Sequence, residues 1–204
     1  NDIQVSDKIL EFDLYLLDKD INEPFELAAI QAGIIVNPGI YNSGTITMSI
    51  VAGSSELSNV SQQPTSVLWD QTTNAIKLTP KSYPGAGLGS IISQSAPGTR
   101  ICRLRLTNTA AFTSSSTANL TFNFTTTPYP TKVAQYLSGS SVVLSCNSTN
   151  TLSNAANLAL NPAITTFTVT GGGSYCQGSE GLPVGLADSE NGVIYTLIKD
   201  GMPQ

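Results

Sequence analysis

Apolar and polar residues alternate over Leu10–Leu17. Leu10, Phe12, Leu14 and Leu16 fall on one face, and Glu11, Asp13 and Tyr15 on the other. A period of two belongs to an extended strand with one face buried and one facing water. Asp18-Lys19-Asp20-Ile21-Asn22-Glu23-Pro24 gathers turn formers. Phe25–Val36 is then largely apolar with weaker alternation, until Asn37-Pro38-Gly39 stops it. Two long strands joined by a turn predict a hairpin. Shorter strands are predicted at Thr45–Val51, Ser66–Trp69, Ala75–Leu78, Ile101–Thr107, Leu120–Thr126, Lys132–Leu137 and Val142–Ser145. No segment carries a helical period.

Between these strands lies turn punctuation: Tyr83-Pro84-Gly85-Ala86-Gly87-Leu88-Gly89, Ala96-Pro97-Gly98 and Pro128-Tyr129-Pro130. Short strands at such spacing predict an all-β fold, a jelly-roll or immunoglobulin-like β-sandwich, over residues 1–147. Residues 148–164 lose the period and close at Asn161-Pro162, as a linker or crossing segment does. Strand signals resume at Thr166–Thr170, Pro183–Leu186 and Gly192–Ile198, predicting a second β domain over 165–204. Roughly 40 residues make a poor core unaided. We therefore read 165–204 as the opening of a truncated domain, and the chain as a piece excised from something longer.

Composition narrows the chemistry. The 204 residues include no histidine, which removes His-based triads and His metal sites, and only 11% are charged, against about a quarter in an average domain. Polarity comes instead from 24 Ser and 23 Thr, a secreted, strand-rich profile. A net charge of −5 offers no general field for phosphate backbones or anionic lipid, so nucleic acid is not an expected partner. No apolar run approaches the roughly 20 residues that span a bilayer, so membrane insertion is not expected. The charge is unevenly placed: eight of the 14 carboxylates lie between Asp2 and Glu26, whereas residues 71–179 carry only Lys77, Lys81, Arg100, Arg103, Arg105 and Lys132. The acidic first strands and the basic middle strands are expected to meet in space.

The stretch TVTGGGSYCQGSEGLPVGLADSENGVIYTLIKDG, Thr168–Gly201, resembles the start of an immunoglobulin-like repeat of large secreted bacterial surface and adhesion proteins. Such repeats often hold a later cysteine, which would leave Cys176 without its usual partner here. The first 150 or so residues resemble cohesin-like and carbohydrate-binding jelly-roll sandwiches. The likeness rests on FELAAIQAGIIVNPGI (Phe25–Ile40), SIVAGSSELSN (Ser49–Asn59) and PGTRICRLRLTNT (Pro97–Thr109). It implies architecture; no recognition motif carries over residue by residue.

Three cysteines leave one unpaired if two are bridged. Cys102 shares a strand face with Leu104 and Leu106 and points at the core, either bridged to Cys146 or as a buried free thiol. Asp18, Asp20 and Asn22 repeat the first half of a calcium loop. Glu23 stands where its Gly belongs and Ala29 where a closing Glu belongs, which excludes an EF-hand and leaves a looser calcium site or a solvated turn. No other cofactor is expected.

A glycosidase needs two carboxyl groups facing across a bond, and Glu11, Asp13, Glu26, Glu56 and Asp70 sit mostly at strand edges or turns. No Ser-x-x-Lys or Gly-x-Ser-x-Gly supplies an activated serine. Gly85, Gly87 and Gly89 alternate with no helix after them, so they predict a flexible loop rather than a phosphate site. The sequons at Asn59, Asn119, Asn123 and Asn147 are expected by chance in so Asn- and Thr-rich a chain. Aromatic rings that stack on sugars remain: Trp69, Tyr83, Tyr129 and Tyr136, of which Tyr83 and Tyr129 lie in Pro-rich loops.

The expectation is a non-catalytic adhesion or binding module of a larger secreted or cell-surface bacterial protein. Its partners would be a glycan or an extracellular protein, beside neighbouring domains of its own chain. A structural stalk is the alternative, and a unit or accessory of a glycoside hydrolase a distant one.

Overall fold

A computed structural model of the chain describes residues 2–79, 81, 83–125, 127–149, 158–160, 167–174, 178, 181–189, 195–199 and 202–203. The chain divides into two compact units, Asn1–Ala163 and Ile164–Gln204. The described residues are nearly all extended, apart from turns and two short 3-10 segments, Pro38–Ile40 and Val60–Gln62.

The first unit is a sandwich of two antiparallel sheets. One sheet runs in the order β1 (Asp2–Ser6), β2 (Ile9–Leu16), β7 (Thr99–Asn108) and β4 (Ile46–Ile50). The other runs β10 (Ser140–Leu144), β9 (Lys132–Leu137), β3 (Leu27–Ile35), β6 (Ala75–Leu78) and β5 (Val67–Asp70), with the two-residue β8 (Thr121–Phe122) also on β3. Leu10, Phe12, Leu14, Leu104 and Leu106 from the first sheet meet Ile34, Ile76 and Leu78 from the second, all at most 4% exposed.

The predicted hairpin of Leu10–Leu17 with Phe25–Val36 does not form. Strand β2 pairs with β1 and β7, whereas β3 pairs with β9, β6 and β8, so the intervening chain crosses from one sheet to the other. Burial explains the division. The polar face of β2 is an outer face, while β3 is covered on both sides, which accounts for its nearly continuous apolar run. The strand expected at Leu120–Thr126 shortens to β8, after which the Asn123 amide still donates to the Gly33 carbonyl and its side chain donates to the Tyr129 carbonyl. The hairpins that do form are local: β9 and β10 join through Ser138 and Gly139, both at positive φ, as a two-residue turn between twisted strands requires.

Residues 158–160, within the expected linker or crossing segment, are held to the first unit. Leu160 is 2% exposed, its amide donates to the Ser116 carbonyl, and Ala159 bridges Thr117. In the second unit, β11 (Val169–Gly171) pairs with β12 (Val184–Leu186), and β13 (Ile198–Lys199) with β14 (Met202–Pro203). Phe167 meets Tyr195 edge to face at 6.2 Å. Cys176 and the first part of the strand expected over Gly192–Ile198 lie outside the described residues.

Candidate binding face

The four candidate aromatics divide by the face on which register puts them. Trp69 lies opposite Ile76, a core residue, and meets the Tyr41 ring edge-on at 5.9 Å. It is partly buried and packs against the core. Val133 points into the core, so alternation along β9 puts Lys132, Ala134 and Tyr136 on the outer face of the second sheet. There Lys132 is opposite Gln31, and one step further Gly33 is opposite Lys77, itself opposite Leu68. Leu68 is 52% exposed.

Tyr129 joins this face from the loop before β9. Its carbonyl lies so close to Gly33 that a Cβ there would fall 1.7 Å from the oxygen, a space only glycine leaves. Thr131 clamps the crossing: its hydroxyl accepts from the Gly33 amide and donates to the Gly33 carbonyl. Asn123 donates to the Tyr129 carbonyl and Gln31 to the Pro130 carbonyl. The Tyr129 ring then lies under the Lys77 ammonium, 5.4 Å from its centroid, in cation–π range.

At the other end of the face, the Tyr136 hydroxyl accepts from the Gly85 amide at 2.7 Å. The glycine loop is therefore anchored rather than flexible. Glu26 accepts from the Gly89 amide and the Asn59 side chain donates to the Leu88 carbonyl. This leaves Tyr83, 55% exposed, beside the same end. Beneath the loop, Gln62 donates to the Leu27 and Ala28 carbonyls and accepts from the Ser90 amide, locking the loop to β3. Of the four candidates, Tyr129, Tyr136 and, through its loop, Tyr83 gather about one face.

The outer face of the first sheet is closed by its own charges. Glu11 lies opposite Arg105 and Asp13 opposite Arg103. Arg105 binds Glu11 at 2.5 and 2.7 Å, and Arg103 binds Asp13 at 2.8 and 2.9 Å. The hydrogen bond from Arg103 holds the Asp13 carboxyl below its usual range. A bulge in β7 buries both Ile101 and Cys102, and so returns Arg100 to the face of Arg103 and Arg105. Arg100 pairs there with Glu56 at 3.2 Å.

Asp18, Asp20 and Asn22 organise the crossing loop. Asp18, 4% exposed, accepts from the Asp20 and Phe25 amides and from the Gln94 side chain. Asp20 accepts from the Asn22 amide and side chain. No group of three or more His, Cys, Asp or Glu residues able to hold a metal ion occurs among the described residues. A shallow cleft of about 50 Å³ separates Asp18, Asp20 and Glu23 from Gln135 and Tyr136.

Cys102 and Cys146 are free thiols, so the bridge between them is not formed. Cys102 is fully buried on the core face, and burial pushes its thiol up to about 12. Among the described residues, no helix is long and apolar enough to cross a membrane.

No protein-family model, curated protein or solved structure matches this chain.

Proposed function

We propose that the first unit is a non-catalytic glycan-binding module of an extracellular or cell-surface protein, related to the cohesin-like sandwiches, with the second unit opening an immunoglobulin-like repeat. One contrast carries the reading. The outer face of the first sheet is neutralised by its own ion pairs, while the outer face of the second gathers Tyr129, Tyr136, Gln31, Lys77 and Lys132, and the one carboxylate on its strands, Asp70 at the β5 edge, is held by Thr72 and Thr73. Rings with amide and ammonium donors suit a sugar's apolar face and its hydroxyls.

The carboxylates that a glycosidase would use are committed elsewhere, which supports a binding role. Glu11 and Asp13 are ion-paired, Glu56 holds Arg100, Glu26 caps Gly89, and Asp70 accepts from Thr72 and Thr73 in the β5–β6 turn.

Binding of the whole chain to a panel of neutral and acidic polysaccharides tests the proposal, with Tyr129→Ala and Tyr83→Ala as variants. Saturable binding that falls about tenfold in folded Tyr129→Ala supports it. No binding across the panel shifts the reading to a structural stalk or a protein partner.

A further inference from the structure

The lysines of the second sheet's outer face differ from the arginines of the first sheet. With strands about 4.8 Å apart and residues about 3.4 Å apart along them, register separates the Lys77 and Lys132 Cα atoms by about 12 Å. Tyr129 lies beside Lys77 and presents ring and ammonium together. Lys81 borders the same sheet beside Ala28 and Ala29, and donates to the Thr65 hydroxyl. Among the described residues none of these three lysines makes an ion pair, whereas Arg100, Arg103 and Arg105 all do. Register explains the difference: Arg103 and Arg105 face Asp13 and Glu11 on β2, whereas Lys77 is opposite Gly33 and Leu68, and Lys132 is opposite Gln31.

We propose that this face binds an anionic polysaccharide, one whose sugars carry carboxylate or sulfate groups. Lys77 and Lys132 contact acidic groups on neighbouring sugars, and Tyr129 lies against the ring between them. The proposal rests on the glycan-binding reading and adds the class of glycan and the residues that select it.

The net charge of −5 does not oppose this. Eight of the 14 carboxylates lie in residues 2–26, and Glu11 and Asp13 among them are already neutralised by arginines on the other sheet. Stacked sheets lie about 10 Å apart, about one Debye length in ordinary salt, which sets the first sheet's carboxylates apart from this face. Asp70, diagonal to Lys77 at the β5 edge, is the one carboxylate on the face's own strands and accepts from Thr72 and Thr73. Three lysines are too few for duplex nucleic acid, where about 6–10 phosphate contacts are usual. The tyrosine beside them favours a sugar ring over an acidic peptide.

The test is titration of the whole chain with polygalacturonate, with its fully methyl-esterified form, and with dextran sulfate. Esterification removes the charge and keeps the sugar backbone. The expected result is binding to an acidic polymer that weakens as salt is raised, and is about tenfold weaker for the esterified form. A double variant, Lys77→Gln with Lys132→Gln, loses about tenfold in affinity, with an unchanged melting temperature showing that it folds. Lys19→Gln, which removes the same charge from the crossing loop, changes nothing. Preference for polygalacturonate identifies carboxylate as the selected group, and preference for dextran sulfate identifies sulfate.

Equal affinity for acid and ester forms overturns the anionic class while leaving glycan binding intact. Lysine-dependent binding of polyglutamate without either acidic polysaccharide overturns it in favour of an acidic protein partner. Absence of binding to every polysaccharide, neutral ones included, removes both this inference and the reading beneath it.

Discussion

Asp13 on β2 and Arg103 on β7 are directly opposite each other, and the Asp13 carboxylate accepts two hydrogen bonds from one guanidinium, at 2.8 and 2.9 Å. The carboxylate side chain is fully covered while that of Arg103 is 24% exposed. Glu11 lies 3.8 Å from the same guanidinium and pairs more closely with Arg105, so one row of charges joins two central strands. A two-pronged pair fixes orientation as well as distance, which makes it a marker of register: a slip by one residue would put these charges into the core.

Asp13→Asn is expected to destabilise the first unit by about 1–3 kcal/mol near neutral pH, read from urea unfolding. The pair also sets a pH dependence. Because the folded pKa is lowered, its stabilisation is present above the unfolded value, near 4, and is lost as pH falls through the folded one. The gap between wild type and Asp13→Asn should therefore narrow on acidification. A gap that stays constant to low pH would show that the carboxylate's charge contributes nothing.

Gly33→Ala is expected to be more damaging than its size suggests. The added carbon would sit on the Tyr129 carbonyl, where the contact is backbone and the Thr131 clamp holds it. We expect a loss of about 3 kcal/mol and, in whatever remains folded, displaced Tyr129. Glycan affinity should then fall as in Tyr129→Ala. Gly87→Ala is a poor comparison because its φ is positive; Gly181, which has open space around it, is the proper control.

The parts of this fold that are legible in sequence are those set by local period. Leu10–Leu17 announces both faces of β2 because one is core and the other faces outward, and the acidic and basic segments do meet, as Glu11 with Arg105 and Asp13 with Arg103. Pairing is not local, so the partners of β3 could not be read. Its apolar run identifies a buried strand without saying that β2 belongs to the opposite sheet. Arg100 would fall on the core face by simple alternation, and only the bulge at Ile101 and Cys102 returns it outward. The candidate face has the same limit. Lys77, Gly33, Tyr129 and Lys132 become neighbours through contacts far apart in sequence, and Trp69 turns inward because Ile76 does.

Calcium is expected to leave the melting temperature unchanged, with or without chelator. Two amide N–H groups and the Gln94 side chain point at the Asp18 carboxylate, and donors so placed put positive charge where a cation would have to approach. Asp18→Ala should cost about 1 kcal/mol in both conditions, since it strands those part-buried donors. A melting temperature that rises with calcium in wild type and not in Asp18→Ala would establish a metal site at this loop.

Thiol labelling separates the two described cysteines by burial. A thiol with a pKa of about 12 is ionised to about one part in 10,000 at pH 8, and only the thiolate attacks an alkylating reagent. Cys102 has no solvent access as well, so it should remain unlabelled by iodoacetamide in the native protein and react fully in urea. Cys146 is half-buried at the end of β10, and burial raises its pKa too, so slow native labelling is expected there. Peptide mapping after a timed exposure gives both rates. If neither residue labels in urea until a reductant is added, and the two peptides travel as one, the thiols are bridged and the arrangement of free cysteines is wrong.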